Sequence, residues 1–340
     1  MRAVVLDAVN SISTKEISLT SLGSGEVLLK VDAAGICGSD RHILHGTYPA
    51  NYPVVLGHEF GGIVEEVASD SLFKAGDRVN VNPNIACREC KYCKLGIVNL
   101  CENNRAYGVN FNGGLANYVV VNERQLFALP KSIDYRFGAF CEPIACCIQG
   151  IDLAEIKAGD SVAIIGGGVI GQIMVQLVKL AGAKTIALST RQKFRREMAE
   201  SLGATHTVNP NDLSSNDLFI GQQGIAPGGF DVVIECAGTS ETLQQSLEIV
   251  RRGGNVILFG VMPQGEKFEI ITFDIFVRQV RIQGVFTGST VHQKAVDIVA
   301  SQKLTLEPLI THQVGLEEVP EILAGSPLSG EVKTLVLPNS

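Results

Sequence analysis

The sequence predicts an α/β protein: a doubly wound parallel sheet domain joined to a second, irregular and mostly β domain. Three observations predict it. From Lys157 onward, apolar β-branched runs alternate with helical patterns of about 10–15 residues. The motif Gly166-Gly167-Gly168-Val169-Ile170-Gly171 joins the first such run to the first such helix. The preceding 145 or so residues carry only short alternating runs broken by turns.

Composition sets the outer limits. At 340 residues the chain exceeds one ordinary core, which predicts two domains. Hydrophobic residues are 46% of the chain and charged residues 19%, so it can bury large cores and is not disordered. A net charge of -7 argues against a nucleic-acid or anionic-membrane partner. The opening "MRAVVLDAVN" reads as a first β-strand and not as a signal peptide, and no unbroken apolar run reaches the roughly 18 residues of a membrane span. Nine cysteines without an export signal suit a reducing cytoplasm, where thiols serve metals or packing.

In order along the chain, "EVLLKVDAA", "GGIVEEVAS", "DRVNVNP" and "ANYVVVNE" are strand signals. "DSVAIIGGG" is a buried strand running into glycines, and "VIGQIMVQLVKLAGA" has helical spacing. "KTIALS", "THTV", "FDVVIECAG", "NVILFGV" and "RIQGVF" are further strands, separated by helices at "KFRREMAESLGA" and "SETLQQSLEIVRRGG". The helix "HQKAVDIVASQ" and the strand "VKTLVL" close the chain and are placed back with the first domain. The expected boundaries are 1–148 with 287–340 for one domain and 149–286 for the other.

The glycine motif has the strand-before, helix-after context of a dinucleotide site. Gly166 would make the tight turn, Gly168 would admit the pyrophosphate, and Gly171 would let helix and strand pack closely; Val169 and Ile170 open the helix beneath the phosphate. NAD-binding folds usually offer a carboxylate at the end of the second strand. Here Ser189 and Thr190 stand there, with Arg191, Lys193, Arg195 and Arg196 beyond. That pattern removes repulsion of a 2′-phosphate and predicts NADP over NAD. Cys236-Ala237-Gly238 and Gly260-Val261 end two successive strands and would floor the nicotinamide side.

Cys87, Cys90, Cys93 and Cys101 have C-x2-C-x2-C-x7-C spacing, in a lobe expected at about 84–104. Four thiolates at about 2.3 Å close a tetrahedral zinc and leave no place for water or substrate, so this lobe is a structural site and not the reaction centre. Iron–sulfur ligation and redox switching are the competing readings. Potential ligands elsewhere are Cys37 in "GICGSDRH", His58 and Glu59 in "LGHEFGG", and Glu142 in "AFCEPIACC".

Through "GICGSD", "LGHEFGGIV", the four-cysteine lobe, "CEP", "GGGVIG" and "DVVIECAG", the chain resembles the zinc-dependent medium-chain dehydrogenase/reductase family over essentially its full length. It looks most like the polyol (sorbitol-type) and threonine dehydrogenase branch. The resemblance implies a GroES-like catalytic domain around a Rossmann domain, and two zincs per chain. It implies a catalytic zinc at Cys37 and His58, with either Glu59 or Glu142 completing the resting set. In that chemistry the metal lowers the alcohol's pKa so that an alkoxide forms, and the carbinol hydride passes to the nicotinamide. Ser39 and His42 match the proton-relay positions. His45, Tyr48, Phe111, Phe286 and Thr287 could line the pocket, and Arg41 and His45 could meet hydroxyls or a carboxylate. Cys141, Cys146, Cys147 and Cys236 remain as buried small residues.

The expected activity is oxidation of a secondary alcohol of a polyol to its ketose. A threonine- or butanediol-type substrate is the runner-up, and an inert NADPH-binding protein is the reading from another class. "GVFTGS" stands where sorbitol-type enzymes commonly carry an Arg-Tyr-like pair, which separates this chain from sorbitol itself. The expected assembly is a homodimer or homotetramer built on the edge strand "GGNVILFG".

Overall fold

The computed structural model describes residues 1–68, 71–212 and 215–340, in two compact units: Met1–Ala145 with Gly288–Ser340, and Cys146–Thr287. Ser69, which ends the expected strand "GGIVEEVAS", lies outside the described residues; the strand itself is Glu59–Val67.

The first unit is built on a sheet in the order Leu126–Ala128, Arg78–Val81, Glu59–Val67, Glu26–Gly35, Lys333–Val336 and Ile310–Val314, with Tyr118–Asn122 also paired to Glu26–Gly35. A smaller sheet of Ser11–Glu16, Arg2–Ala8 and Val54–Val55 lies in the same unit. The strand Glu26–Gly35 alternates half-buried and buried positions, as a period of two requires when one face is covered. Its inward residues Val27, Leu29 and Val31 join Leu6, Ile43, Phe60, Val79, Leu115 and Leu335 in being fully buried. The C-terminal strand pairs antiparallel with the end of Glu26–Gly35, Leu335 opposite Gly35, so residues 300 positions apart in sequence meet there.

The second unit is one parallel sheet, ordered His206–Val208, Thr185–Ser189, Ser161–Ile165, Phe230–Glu235, Val250–Leu258, Arg281–Gly284. Numbered within the unit this is 3-2-1-4-5-6, the Rossmann order, whose reversal lies between the first and fourth strands. The central strands are apolar on both faces, which is why "VAII" and "DVVIE" read as continuous runs.

Two expectations need correction. The helix drawn through "SETLQQSLEIVRRGG" ends at Ile249, and Val250–Leu258 is strand; Val250 turns extended, and Gly253 at φ +68° sits in an irregular register opposite Phe230–Val232. "GGNVILFG" is therefore not an edge: it lies between Phe230–Glu235 and Arg281–Gly284, and the latter is the edge. The helical run Tyr135–Ala154 has 20 residues and a mean hydropathy of 1.3, enough by length and composition to cross a bilayer, yet 61% of it is buried as a core helix. Arg136 and Glu142 break its apolar run, which is how a search for unbroken apolar stretches passes over it.

Candidate active site and cofactor cradle

In the first unit, the strand Glu26–Gly35 ends two residues before Cys37, which caps the short helix Gly38–Leu44. Asp40, three residues on and fully buried, accepts from the Cys37 N–H at 2.9 Å through Oδ2. Its Oδ1 lies 3.3 Å from His58 Nδ1, and neither atom has another hydrogen-bond partner among the described residues. A carboxylate behind the imidazole fixes the ring and leaves its other nitrogen facing the donor cluster. Donor atoms of Cys37, His58 and Glu59 fall within 4.8 Å of one another. Burial pushes the His58 imidazole down, but Asp40 and the Cys37 sulfur outweigh it and hold its pKa well above the usual value. The set contains one sulfur, one nitrogen and one carboxylate, the mixed donors of a catalytic zinc. Glu142 begins the helix Cys141–Ala154, is buried, and is outside that close set.

Glu59 is also held from behind. Lys333, from the C-terminal strand, forms a buried ion pair with its Oε2 and donates to Ile36 O at 3.0 Å. Burial lowers the Lys333 pKa; Glu59, Cys37 and Asp40 more than reverse this and raise it. Gly35 makes room for the pair, since a Cβ there would stand 2.8 Å from Lys333 Nζ. Asp40 had a sequence signal in the Cys-x-x-Asp spacing of a capping box. Lys333 had none, because only the strand pairing brings it to Glu59.

Ser39 Oγ lies 3.4 Å from Cys37 Sγ, and His42 Nδ1 lies 3.0 Å from Thr47 Oγ1 on a partly exposed face. Thr47 is a second residue the sequence reading missed. Arg41 Nη1 donates to Leu323 O at 3.0 Å and Gly325 O at 2.5 Å, closing the helix Val319–Ala324. His45 Nδ1 meets Asn10 Oδ1 at 2.8 Å. Tyr48 is partly exposed. Phe111 lines a cavity of about 540 Å³ with Cys87, Arg88, Tyr107 and Gln125, a wall that includes none of Cys37, His58 or Glu59. This cavity lies away from the donor cluster. Phe286 and Thr287 lie in the second unit, where Phe286 is exposed and Thr287 has φ +49°.

The four-cysteine lobe is closed on itself. Cys87, Cys90, Cys93 and Cys101 present sulfurs within 4.8 Å of one another, and Cys87 Sγ to Cys93 Sγ is 4.0 Å. Tetrahedral zinc at its usual sulfur distance requires about 3.8 Å between sulfurs, so the all-thiol set fits. Backbone N–H groups of Cys87 and Cys90 point at the sulfurs of Cys101 and Cys87, at 3.2 and 3.4 Å. The backbone amides of Glu89 and Cys90, with Cys101, lower the Cys87 pKa to about 6, which favours the ligating thiolate. Desolvation and the neighbouring thiols push Cys93 up to about 12.

In the second unit, Gly166 has φ +114° and donates to Ser189 O at 2.9 Å, which ties the turn to the second strand. Gly168 caps the helix Val169–Leu180 with open space where its side chain would be, while a Cβ at Gly171 would stand 3.1 Å from Gly166 C. Buried Gln172 donates to Gly167 O and Arg195 O at 3.2 and 2.8 Å, joining the turn to the next helix. Ser189 Oγ is buried without a hydrogen-bond partner among the described residues. Arg196 does not project: it donates to Thr190 O and Arg191 O at 2.7 and 2.8 Å. Arg195 lies over the Phe194 ring at 5.6 Å, and Lys193 pairs with Glu197, leaving Arg191 exposed at the mouth of the turn. Glu235 Oε1 accepts from Ala237 N and Gly238 N at 2.7 and 2.8 Å, shaping the loop Cys236–Gly238. Gly260 fits beneath it, where a Cβ would stand 2.7 Å from Gly238 Cα, and Val261 beyond it is 67% exposed. Cys141 and Cys147 are buried as expected, but Cys146 and Cys236 are only partly so.

With that geometry in place, comparison with known proteins is specific. Residues 23–131 match the alcohol dehydrogenase GroES-like domain, and residues 169–301 the zinc-binding dehydrogenase domain. A zinc-binding dehydrogenase of Sinorhizobium meliloti 1021, solved bound to NADP, is 48% identical and superposes with a TM-score of 0.97 over 99% of both chains. D-altritol 5-dehydrogenase of Agrobacterium fabrum is 31% identical over 89% of each chain. Sorbitol dehydrogenase of Bacillus subtilis is 31% identical over 95% of this chain and 92% of its own. The chain belongs to the zinc-dependent medium-chain dehydrogenase family, in its polyol dehydrogenase branch. It is an NAD(P)-dependent oxidoreductase made of a GroES-like and a Rossmann domain, acting on a small molecule.

Proposed function

We propose that this enzyme interconverts a secondary alcohol of a sugar alcohol and its ketose, with NADP preferred over NAD. The observation that carries the reading is the cluster of Cys37, His58 and Glu59 with Asp40 behind the histidine. These residues, with Glu142, would hold a catalytic zinc, and the four cysteines 87, 90, 93 and 101 would hold a structural one. When bound, the catalytic ion supplies Lewis acidity to the substrate oxygen. The chain's own groups do the rest. Cys37 and Glu59 offset the positive charge, Asp40 keeps the His58 ring in one tautomer, and Ser39 stands beside Cys37 to take the hydroxyl proton. His42, hydrogen-bonded to Thr47 and partly exposed, passes that proton to water. The loop Cys236–Gly238, braced by Glu235, would floor the nicotinamide, and Gly166–Gly171 would carry the pyrophosphate.

A panel of polyols, diols and threonine, each with NAD and NADP, tests this by absorbance of the reduced cofactor. The expected outcome is turnover of a polyol with higher kcat/KM for NADP. Arg191→Ala should then lower kcat/KM for NADP about tenfold or more and leave NAD nearly unchanged, the loss of one charge-assisted hydrogen bond. A clear NAD preference, or equal effects on both cofactors, rejects the NADP assignment.

The second unit leaves an edge strand, Arg281–Gly284, open, with Ile271, Phe273 and Phe276 exposed nearby at 70, 67 and 76%. An unpaired edge beside bare apolar side chains demands cover. A second copy pairing there, as a homodimer or as half of a homotetramer, meets the demand. Light scattering at micromolar concentration should show a dimer or tetramer, and Ile282→Pro should shift it toward monomer; a monomeric wild type overturns the assembly.

A further inference from the structure

Asn80, on the strand Arg78–Val81, is fully buried between the two segments that carry the acidic donors. Its Nδ2 donates to Phe60 O at 3.0 Å and to Gly138 O at 2.6 Å. Phe60 directly follows Glu59, and Gly138 lies four residues before Glu142. No side chain separates these segments: a Cβ on Gly61 would stand 3.3 Å from Gly138 Cα and 3.0 Å from Val79 O. One amide therefore spans them. With both of its hydrogens aimed at carbonyls, its oxygen must accept, and the donor it meets is His292 Nε2 at 2.5 Å. His292 is buried against the Phe127 ring, 4.8 Å between centroids, and burial pushes its pKa down to about 3, so it stays a neutral imidazole with its hydrogen on Nε2.

We infer that Asn80, oriented by His292, is a positioning residue for the catalytic metal: it fixes the spacing between the His58–Glu59 segment and the Glu142 segment so that both acidic donors can serve one ion. Neither residue belongs to the donor set: Asn80 acts through the Phe60 and Gly138 carbonyls, and His292 acts through the Asn80 side-chain oxygen. The inference rests on the zinc reading above. Loss of the amide removes the side-chain tie between Phe60 O and Gly138 O, leaving Gly138 O only its bond from the Cys141 N–H, and frees the helix Cys141–Ala154 to shift at the end that carries Glu142.

The test is chelator-driven zinc release from Asn80→Leu, His292→Leu and His292→Gln, read by a chromogenic chelator beside the wild type. Two release phases are expected in the wild type. In Asn80→Leu and His292→Leu the catalytic phase should accelerate about tenfold or more, the usual range for outer-shell losses, with the four-cysteine phase unchanged. His292→Gln, which keeps an N–H near the Nε2 position, should restore the wild-type rate. With cobalt in the catalytic site, the visible spectrum should shift in the two leucine variants and not in the glutamine one. Equal acceleration of both phases, or no acceleration, overturns the positioning role. If Asn80→Leu does not fold, the His292 pair decides on the same readouts. A wild type lacking the catalytic phase fails the zinc reading itself, whereas two wild-type phases with unaltered variants fail only the role of Asn80.

Discussion

Replacing Cys37 or His58 by alanine is expected to lower kcat/KM at least about a thousandfold and to leave one zinc per chain instead of two. The size follows from the several kcal/mol that a Lewis acid contributes to stabilising developing charge, at roughly 1.4 kcal/mol per factor of ten. The residual zinc identifies the sites as independent, because the four-cysteine lobe shares no donor with the Cys37 cluster. Unfolding temperature should fall little if the lobe keeps its ion. Cys93→Ser should behave in the opposite sense: stability falls, the structural zinc is lost, and the turnover of surviving folded enzyme changes far less. Metal analysis alongside initial rates checks both arms. Undiminished turnover in either alanine variant sinks the assignment of the catalytic metal.

The parts of this molecule that could be read from sequence are those whose physics is local. The Rossmann unit announces itself because strands buried on both faces must be continuously apolar, and because the turn at Gly166 and the close approach at Gly171 admit little else. The cysteine lobe is legible for the same reason: its donors lie within 15 positions of one another, from Cys87 to Cys101. Local pattern fails where the site is assembled by distant pairing. Lys333 reaches Glu59 only because the C-terminal strand docks beside Gly35, and nothing in "EVKTLVL" marks its lysine as buried. Arg41 and Arg196 look like binding residues in sequence, yet each caps a turn through backbone carbonyls, the commonest fate of a side-chain hydrogen bond. "SETLQQSLEIVRRGG" misleads because helix propensity carries on through Arg251 and Arg252, while pairing with Phe230–Glu235 draws Val250 onward into the sheet.

The other large effect belongs to the buried pair of Glu59 and Lys333, whose side chains are only 3% and 1% exposed. Lys333→Leu should destabilise the protein by about 3–5 kcal/mol when the catalytic zinc has been removed, because Glu59 is then an unpaired buried carboxylate. Gly35→Ala should destabilise in the same direction by crowding the pair. With zinc bound, the cost of Lys333→Leu depends on whether Glu59 turns to the metal. A small cost identifies Glu59 as the resting ligand, and an undiminished cost assigns that place to Glu142. The double variant Lys333→Leu with Glu59→Leu should recover most of the lost stability, since an apolar pair replaces a buried ion pair at little expense, while activity stays low if Glu59 serves the metal. The sign with pH is fixed by the raised Lys333 pKa, which Glu59 upholds against burial. A raised base stabilises fully below its unfolded value, about 10.4, and loses that contribution as pH climbs through the folded value. The deficit of Lys333→Leu should therefore be flat from about pH 6 to 9 and shrink only in stronger alkali. Urea titrations across that range measure it, and a deficit that vanishes near neutrality would show that Lys333 is not charged in the fold.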